Sequence, residues 1–203
     1  MKNLIIMLAA IAAIAVVSCN SNSSKNDRGN MNHDSMTMPE HATAGSTDVK
    51  TLTPTFTNVD AGVRVFMKSL VQHYLAVKNA LTGDDKAGAA TAAGKMEATM
   101  KNFDKSLLTE EQKNMYDNIA DDLKEHAELI GKSELDPQRE HFAGMSKDMY
   151  ELVKGFGAGM TLYHDHCPMY NDGSMWLSET EDIQNPYYGP MMDKCGSVEE
   201  VLQ

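Results

Sequence analysis

Apolar side chains recur at steps of three and four from Val63 onward, through Phe66, Leu70, Tyr74, Val77 and Leu81. On a helix this spacing gathers them on one face. The run stops at Gly83, a residue suited to a helix end. A second period, opened by Asp84 or Asp85 and rich in Ala, carries Met96, Met100 and Phe103. A third opens with Thr109-Glu-Glu-Gln112, in which the hydroxyl and the Gln side chain can each satisfy an otherwise unpaired backbone donor. It continues through Met115, Ile119, Leu123, His126 and Ile130 to Gly131. The fourth opens at Asp136-Pro137, a cap followed by proline at the first helical position. It aligns Phe142, Met145, Met149, Leu152 and Phe156. Four amphipathic helices with short connections predict a mainly α fold, an antiparallel up-down four-helix bundle over residues 58–159.

Beyond Gly155, Gly157 and Gly159 the helical period is lost, and residues 160–203 form an irregular tail. Asn171-Asp-Gly173, between Tyr163–Met169 and Ser174–Leu177, predicts a short hairpin. Ser178–Glu181 reads as a capped helical turn and Ser197-Val-Glu-Glu200 as the start of another. The tail has too little apolar content to fold alone. It is expected to pack on the bundle, with Trp176, Tyr187 and Tyr188 covering the contact.

The opposite end has a different pattern. Lys2 precedes an apolar run from Leu4 to Val17, and Ser18 precedes Cys19. That run is too short for a mature transmembrane helix, which needs roughly twenty apolar residues. It has the layout of a secretory leader ending in a lipobox, so residues 1–18 are expected to be removed and Cys19 to carry lipid. Residues 19–57 then form a polar, disordered linker. The compartment is the cell envelope, the outer membrane being preferred over the inner because Asn20 is not the Asp associated with inner-membrane retention. Removing the leader takes away one Lys and no acid, moving the net charge from −11 to −12. Such acidity argues against nucleic acid as a partner.

Within the linker lies an unusual tract: Met31, His33, Met36, Met38 and His41 fall within eleven residues. Thioethers and imidazoles on a flexible chain can capture copper weakly, which makes these five a secondary metal candidate. A solubilising linker of drifted composition is the other reading.

Apart from Cys19, the chain has only Cys167 and Cys195. In an oxidising compartment such a pair is by default a disulfide. Each Cys, however, has a Met close by: Cys167-Pro168-Met169 and Met192-Asp-Lys-Cys195. Thiolate and thioether are soft donors that favour Cu(I) or Ag(I). An extended chain would put Cys167 and Met169 on one face, and a helical turn would do the same for Met192 and Cys195. His166, or His164, is a further possible donor. Both readings stand at this point. The methionines of the helix faces read as core, and His126 as a hydrogen-bonded core or boundary residue. His73 and His141 read as surface residues. No nucleophile elbow, zinc-protease helix, phosphate loop or haem-attachment motif occurs, so no enzymatic activity is expected.

The succession Cys167-Pro168-Met169, Asp172-Gly173, Trp176-Leu177-Ser178, Asn185-Pro186-Tyr187-Tyr188-Gly189, Met192 and Cys195-Gly196 resembles the ending of the domain of unknown function 3347 family. The resemblance extends over roughly Val59 to Gly196. It implies a helical bundle found in envelope lipoproteins and at the C-terminus of adaptor subunits of copper and silver efflux pumps. By position it implies Cys167, Met169, Met192 and Cys195 as ligands of a copper or silver ion, with His166 a weaker addition. Tyr170 departs from the small residue common there. A soft-metal lipoprotein that buffers the ion or hands it to an efflux adaptor is therefore expected. The competing expectation is an interaction module for such an adaptor, with Cys167–Cys195 a structural disulfide.

Overall fold

A computed structural model describes residues 49–203. The expected leader at 1–18, the lipidated Cys19 and the tract of Met31, His33, Met36, Met38 and His41 lie outside the described residues. The elements are β1 (Lys50–Leu52), α1 (Ala61–Thr82), α2 (Lys86–Lys101), α3 (Glu110–Lys132), α4 (Leu135–Phe156), β2 (Leu162–Cys167), β3 (Ser174–Ser178) and β4 (Ser197–Leu202). None of these helices is long and apolar enough to cross a membrane.

The four helices pack as a closed set, α1 on α2, α2 on α3, α3 on α4 and α4 back on α1. The apolar stripe of α1 is buried from Val63 to Leu81. Met96 and Met100 of α2, Leu123 and Ile130 of α3, and Phe142, Met145, Met149 and Leu152 of α4 meet it. Each fully buried side chain of this size contributes roughly 1.5–3 kcal/mol. Caps set the helix ends. Asp60 and Asp85 accept from the backbone of Gly62 and Gly88, and the reciprocal pair expected at Thr109 and Gln112 is formed. Two boundaries differ from expectation. α3 runs through Gly131 to Lys132, and α4 starts at Leu135 behind Glu134, without a side-chain cap. Pro137 then sits inside the first turn, where its missing N–H has no helical partner to lose. Buried Gln138 closes this corner, donating to Ile130 O at 2.8 Å and Lys86 O at 3.1 Å.

The C-terminal region is more regular than an irregular tail. Its strands form one four-stranded sheet in the order β1-β4-β2-β3. The expected hairpin is present as β2 and β3, antiparallel, with Cys167 opposite Ser174. Its turn begins at Pro168, so Met169 lies in the turn and not in the strand. Asn171 and Asp172 take the left-handed conformation there, with φ of 48° and 58°. Two expected helical turns are absent. Ser178 ends β3 and is followed by bends, and Ser197–Leu202 is a central strand, antiparallel to β2. The expected linker to residue 57 is also structured at its end. β1 pairs parallel with β4, and the following segment docks on α4 through Thr55 N to Lys154 O and Phe56 N to Gly155 O, both 2.9 Å.

β3 provides the main contact of the sheet with the bundle, chiefly with α4, and its Trp176 and Leu177 are fully buried. Between sheet and helices lies a polar layer. Tyr74 Oη is 2.8 Å from Ser146 Oγ and accepts from Leu177 N at 2.9 Å. The Lys78 ammonium, fully buried, pairs with Glu179 at 2.8 Å.

Candidate functional site

The sheet and the loop after it bring the two distant cysteines together. Cys167 closes β2 and is fully buried. Cys195 follows a short 3-10 turn, Gly189–Met191, and is partly exposed. Their sulfurs are 3.2 Å apart and both are free thiols. The contact with Cys167 raises the Cys195 thiol pKa above its usual range, with a smaller contribution from burial.

Three local devices hold Cys195 over Cys167. Asn185, fully buried, donates its amide to Cys195 O at 2.7 Å, and its Oδ1 accepts from Tyr187 N at 2.8 Å. Its own N–H donates to Asp193 O at 2.8 Å. Gly196 has φ +146°, and a Cβ there would stand 2.9 Å from the Trp176 ring and 3.0 Å from His166 O. A side chain at 196 would push the loop off the sheet. Arg139 of α4, itself buried, donates Nε to Pro186 O at 3.0 Å and pairs with Asp84, tying the loop to the bundle. Asn185 was legible as the residue before a proline and as the start of the Asn-Pro-Tyr-Tyr-Gly motif, without a role of its own, and Arg139 carried no signal.

Beneath the pair the floor is aromatic. Tyr187 is buried, stacks on Tyr170 at 4.4 Å and meets Phe142 of the bundle at 5.9 Å. Trp176 is fully buried and Tyr188 half-buried, as befits a covering of this contact. Asp165 lies two residues before Cys167 on the same buried face. Neither of its oxygens, nor Trp176 Nε1, has a hydrogen-bond partner of normal geometry. Burial pushes its carboxyl pKa up to about 8, against the opposing influence of Lys78 and the Trp176 indole.

The other expected ligands stand apart from the thiols. His166 neighbours Cys167 on the strand, so its ring is on the opposite face, with Nδ1 3.3 Å from Glu199. It is not placed to join a site with Cys167. His164 shares the His166 face, 3.4 Å from Glu200, and packs on Tyr150 of α4. Met169 is 60% exposed, because it belongs to the turn, and Met191 is 83% exposed. Met192 is half-buried, and its carbonyl accepts from Cys195 N at 3.1 Å, so those two do share a turn. Among the described residues no three His, Cys, Asp or Glu side chains meet at distances that would hold a metal.

The chemistry available at 3.2 Å is that of a two-sulfur centre. A disulfide requires about 2.05 Å. Two sulfurs bound at about 2.3 Å to one tetrahedral ion stand about 3.8 Å apart. The pair lies between, and either state requires a shift of about an ångström or less.

Residues 70–161 match the family described as "Protein of unknown function (DUF3347)". Comparison with curated proteins and with solved structures yielded no match. The matched span runs from the middle of α1 to the residue before β2, so it takes in the bundle and stops short of both cysteines. Residues 70–161, the greater part of the helical body, are thus a domain of the DUF3347 family.

Proposed function

We propose that this chain is an envelope lipoprotein, anchored through Cys19, that binds Cu(I) or Ag(I) at Cys167 and Cys195. It would buffer the ion or hand it to an efflux system. The observation that carries this reading is the 3.2 Å approach of the two thiols, one buried and one reachable from solvent. Soft monovalent ions prefer such sulfur donors, and few ligands suffice for them. The donor set fits the ion by this criterion. Met192, in the same turn as Cys195, is the thioether best placed to assist, whereas Met169 would have to turn inward. A bound ion would supply a polarisable Lewis-acid centre shared by two thiolates. The protein would hold the sulfurs, exclude water on the Cys167 side and leave the Cys195 side open. The Met/His tract would act as a collector between membrane and domain.

The test is a Cu(I) titration of the reduced protein under anaerobic conditions, beside Cys167→Ser, Cys195→Ser and Met192→Leu. A loss of affinity of at least tenfold in either Cys variant is expected, and a smaller loss for Met192→Leu. Undiminished affinity in both Cys variants would sink the site.

A second reading has the same observation behind it. Thiols this close in an oxidising compartment form a disulfide readily, and the domain would then be an interaction module whose tail is stapled. Thiol counting on protein isolated from the envelope without reductant separates the two, free thiols favouring the metal site.

A further inference from the structure

The seam between α3 and α4 carries a constellation of a different chemical kind. On α3, Asp122 and His126 are one turn apart. On α4, His141, Gly144 and Asp148 lie along one stripe at steps of three and four. His126 Nε2 stands 4.0 Å from Asp148 Oδ2, and the His126 and His141 rings are 5.9 Å apart. A Cβ at Gly144 would lie 2.2 Å from His126 Nε2, so the imidazole rests on α4 only because that position is glycine. A glycine inside a helix costs roughly 1 kcal/mol relative to alanine.

The groups are poorly satisfied by one another. At 4.0 Å the His126–Asp148 approach is too long for a hydrogen bond, which needs about 2.7–3.2 Å. Asp148 Oδ2 and His126 Nδ1 are buried atoms with no hydrogen-bond partner. Burial, and then the neighbouring Asp122, push the Asp148 carboxyl up to about 6, while burial and His141 lower His126. Each group is thus held toward its neutral form, at a place where a cation would favour the carboxylate and use the neutral imidazole.

We propose that the α3–α4 seam is a binding site for a divalent first-row transition ion, held by His126, Asp148 and Asp122, with His141 as a fourth donor. Two nitrogen or oxygen ligands at about 2.0–2.1 Å from a tetrahedral ion stand about 3.3 Å apart, so His126 and Asp148 need close by less than an ångström. As they stand, the side chains do not converge on one point. Asp122 is exposed and His141 half-exposed, so both can turn in without disturbing the core. Imidazole and carboxylate suit Zn(II) or Cu(II), whereas the thiol pair suits Cu(I), so the seam and the sulfur centre would select different ions. This site does not depend on the cysteine pair.

The probe is Co(II), added to the whole protein after its thiols have been alkylated. The d–d absorption of the ion reports nitrogen and oxygen ligation, and alkylation removes the sulfur centre from the measurement. One ion per chain with affinity lowered at least tenfold by Asp148→Asn and by His126→Gln is the expected result. Neither change alters side-chain size much, and far-ultraviolet circular dichroism checks the helices; if one variant unfolds, the other decides. Absence of Co(II) binding in the alkylated parent would overturn the proposal. So would equal affinity in the folded variants, since the ion would then sit elsewhere, such as on His33 and His41.

Discussion

The side-chain amide of Asn185 donates to the carbonyl of Cys195 at 2.7 Å, and through this bond a buried polar residue sets where the second sulfur lies. Replacing Asn185 by Ala removes both side-chain bonds and leaves Tyr187 N and Cys195 O without partners. Loss of about 1–3 kcal/mol in chemical denaturation is expected, together with slower oxidation of the thiol pair. Unchanged oxidation kinetics would mean that the loop is held by something else.

Gly196 is the second device at this corner. Gly196→Ala forces a side chain into a left-handed position and into the Trp176 ring. Destabilisation of more than about 1 kcal/mol is expected, with altered Trp176 fluorescence, because Trp176 is the sole tryptophan. A variant as stable as the parent, with the same emission, would contradict the close packing described.

Asp165 predicts a pH dependence. Its carboxyl titrates near 3.8 when exposed and at about 8 in the folded chain. The folded state therefore holds the proton more tightly. The contribution to stability is complete below about pH 4 and is lost as the pH rises through about 8. Asp165→Asn abolishes this titration. Relative to the parent, the variant should gain on the order of a few kcal/mol between pH 4 and pH 8, read by urea midpoints at each pH. Parallel stability curves for the two proteins would show that Asp165 ionises freely.

Mild oxidation should join Cys167 to Cys195, the chain losing two hydrogens in mass without dimerising. Closing a loop across 28 residues should stabilise the folded state by about 2–4 kcal/mol. An intermolecular product, or a cross-linked chain less stable than the reduced one, would mean that the sulfurs are not neighbours in solution.

The helical body was readable because a three- and four-residue apolar period has one good solution in water, and four such stripes with short joints close on one another. The sheet was not. Ser197-Val-Glu-Glu200 has the local signature of a capped helix start, yet it lies between β1 and β2, where backbone pairing with both outweighs local preference. Lys50–Leu52 is polar by composition and becomes a strand only because β4 offers it an edge. The meeting of Cys167 and Cys195 was anticipated. The extended reading that placed Met169 beside Cys167 failed because the strand ends at Cys167 and Pro168 starts the turn. The alternation that turns His166 away was legible in its neighbouring position. Asn185 and Asp165 were not legible as site residues, since their roles depend on burial that tertiary packing creates.

The unequal burial of the two sulfurs imposes an order of events on anything that happens there. A reagent arriving from solvent meets Cys195 first and reaches Cys167 only through it. Exchange with another thiol would thus begin as a mixed species at Cys195, and an ion would enter and leave by the same door. The centre has a front and a back, so transfer to a partner would proceed by displacement at one sulfur while the other keeps its grip.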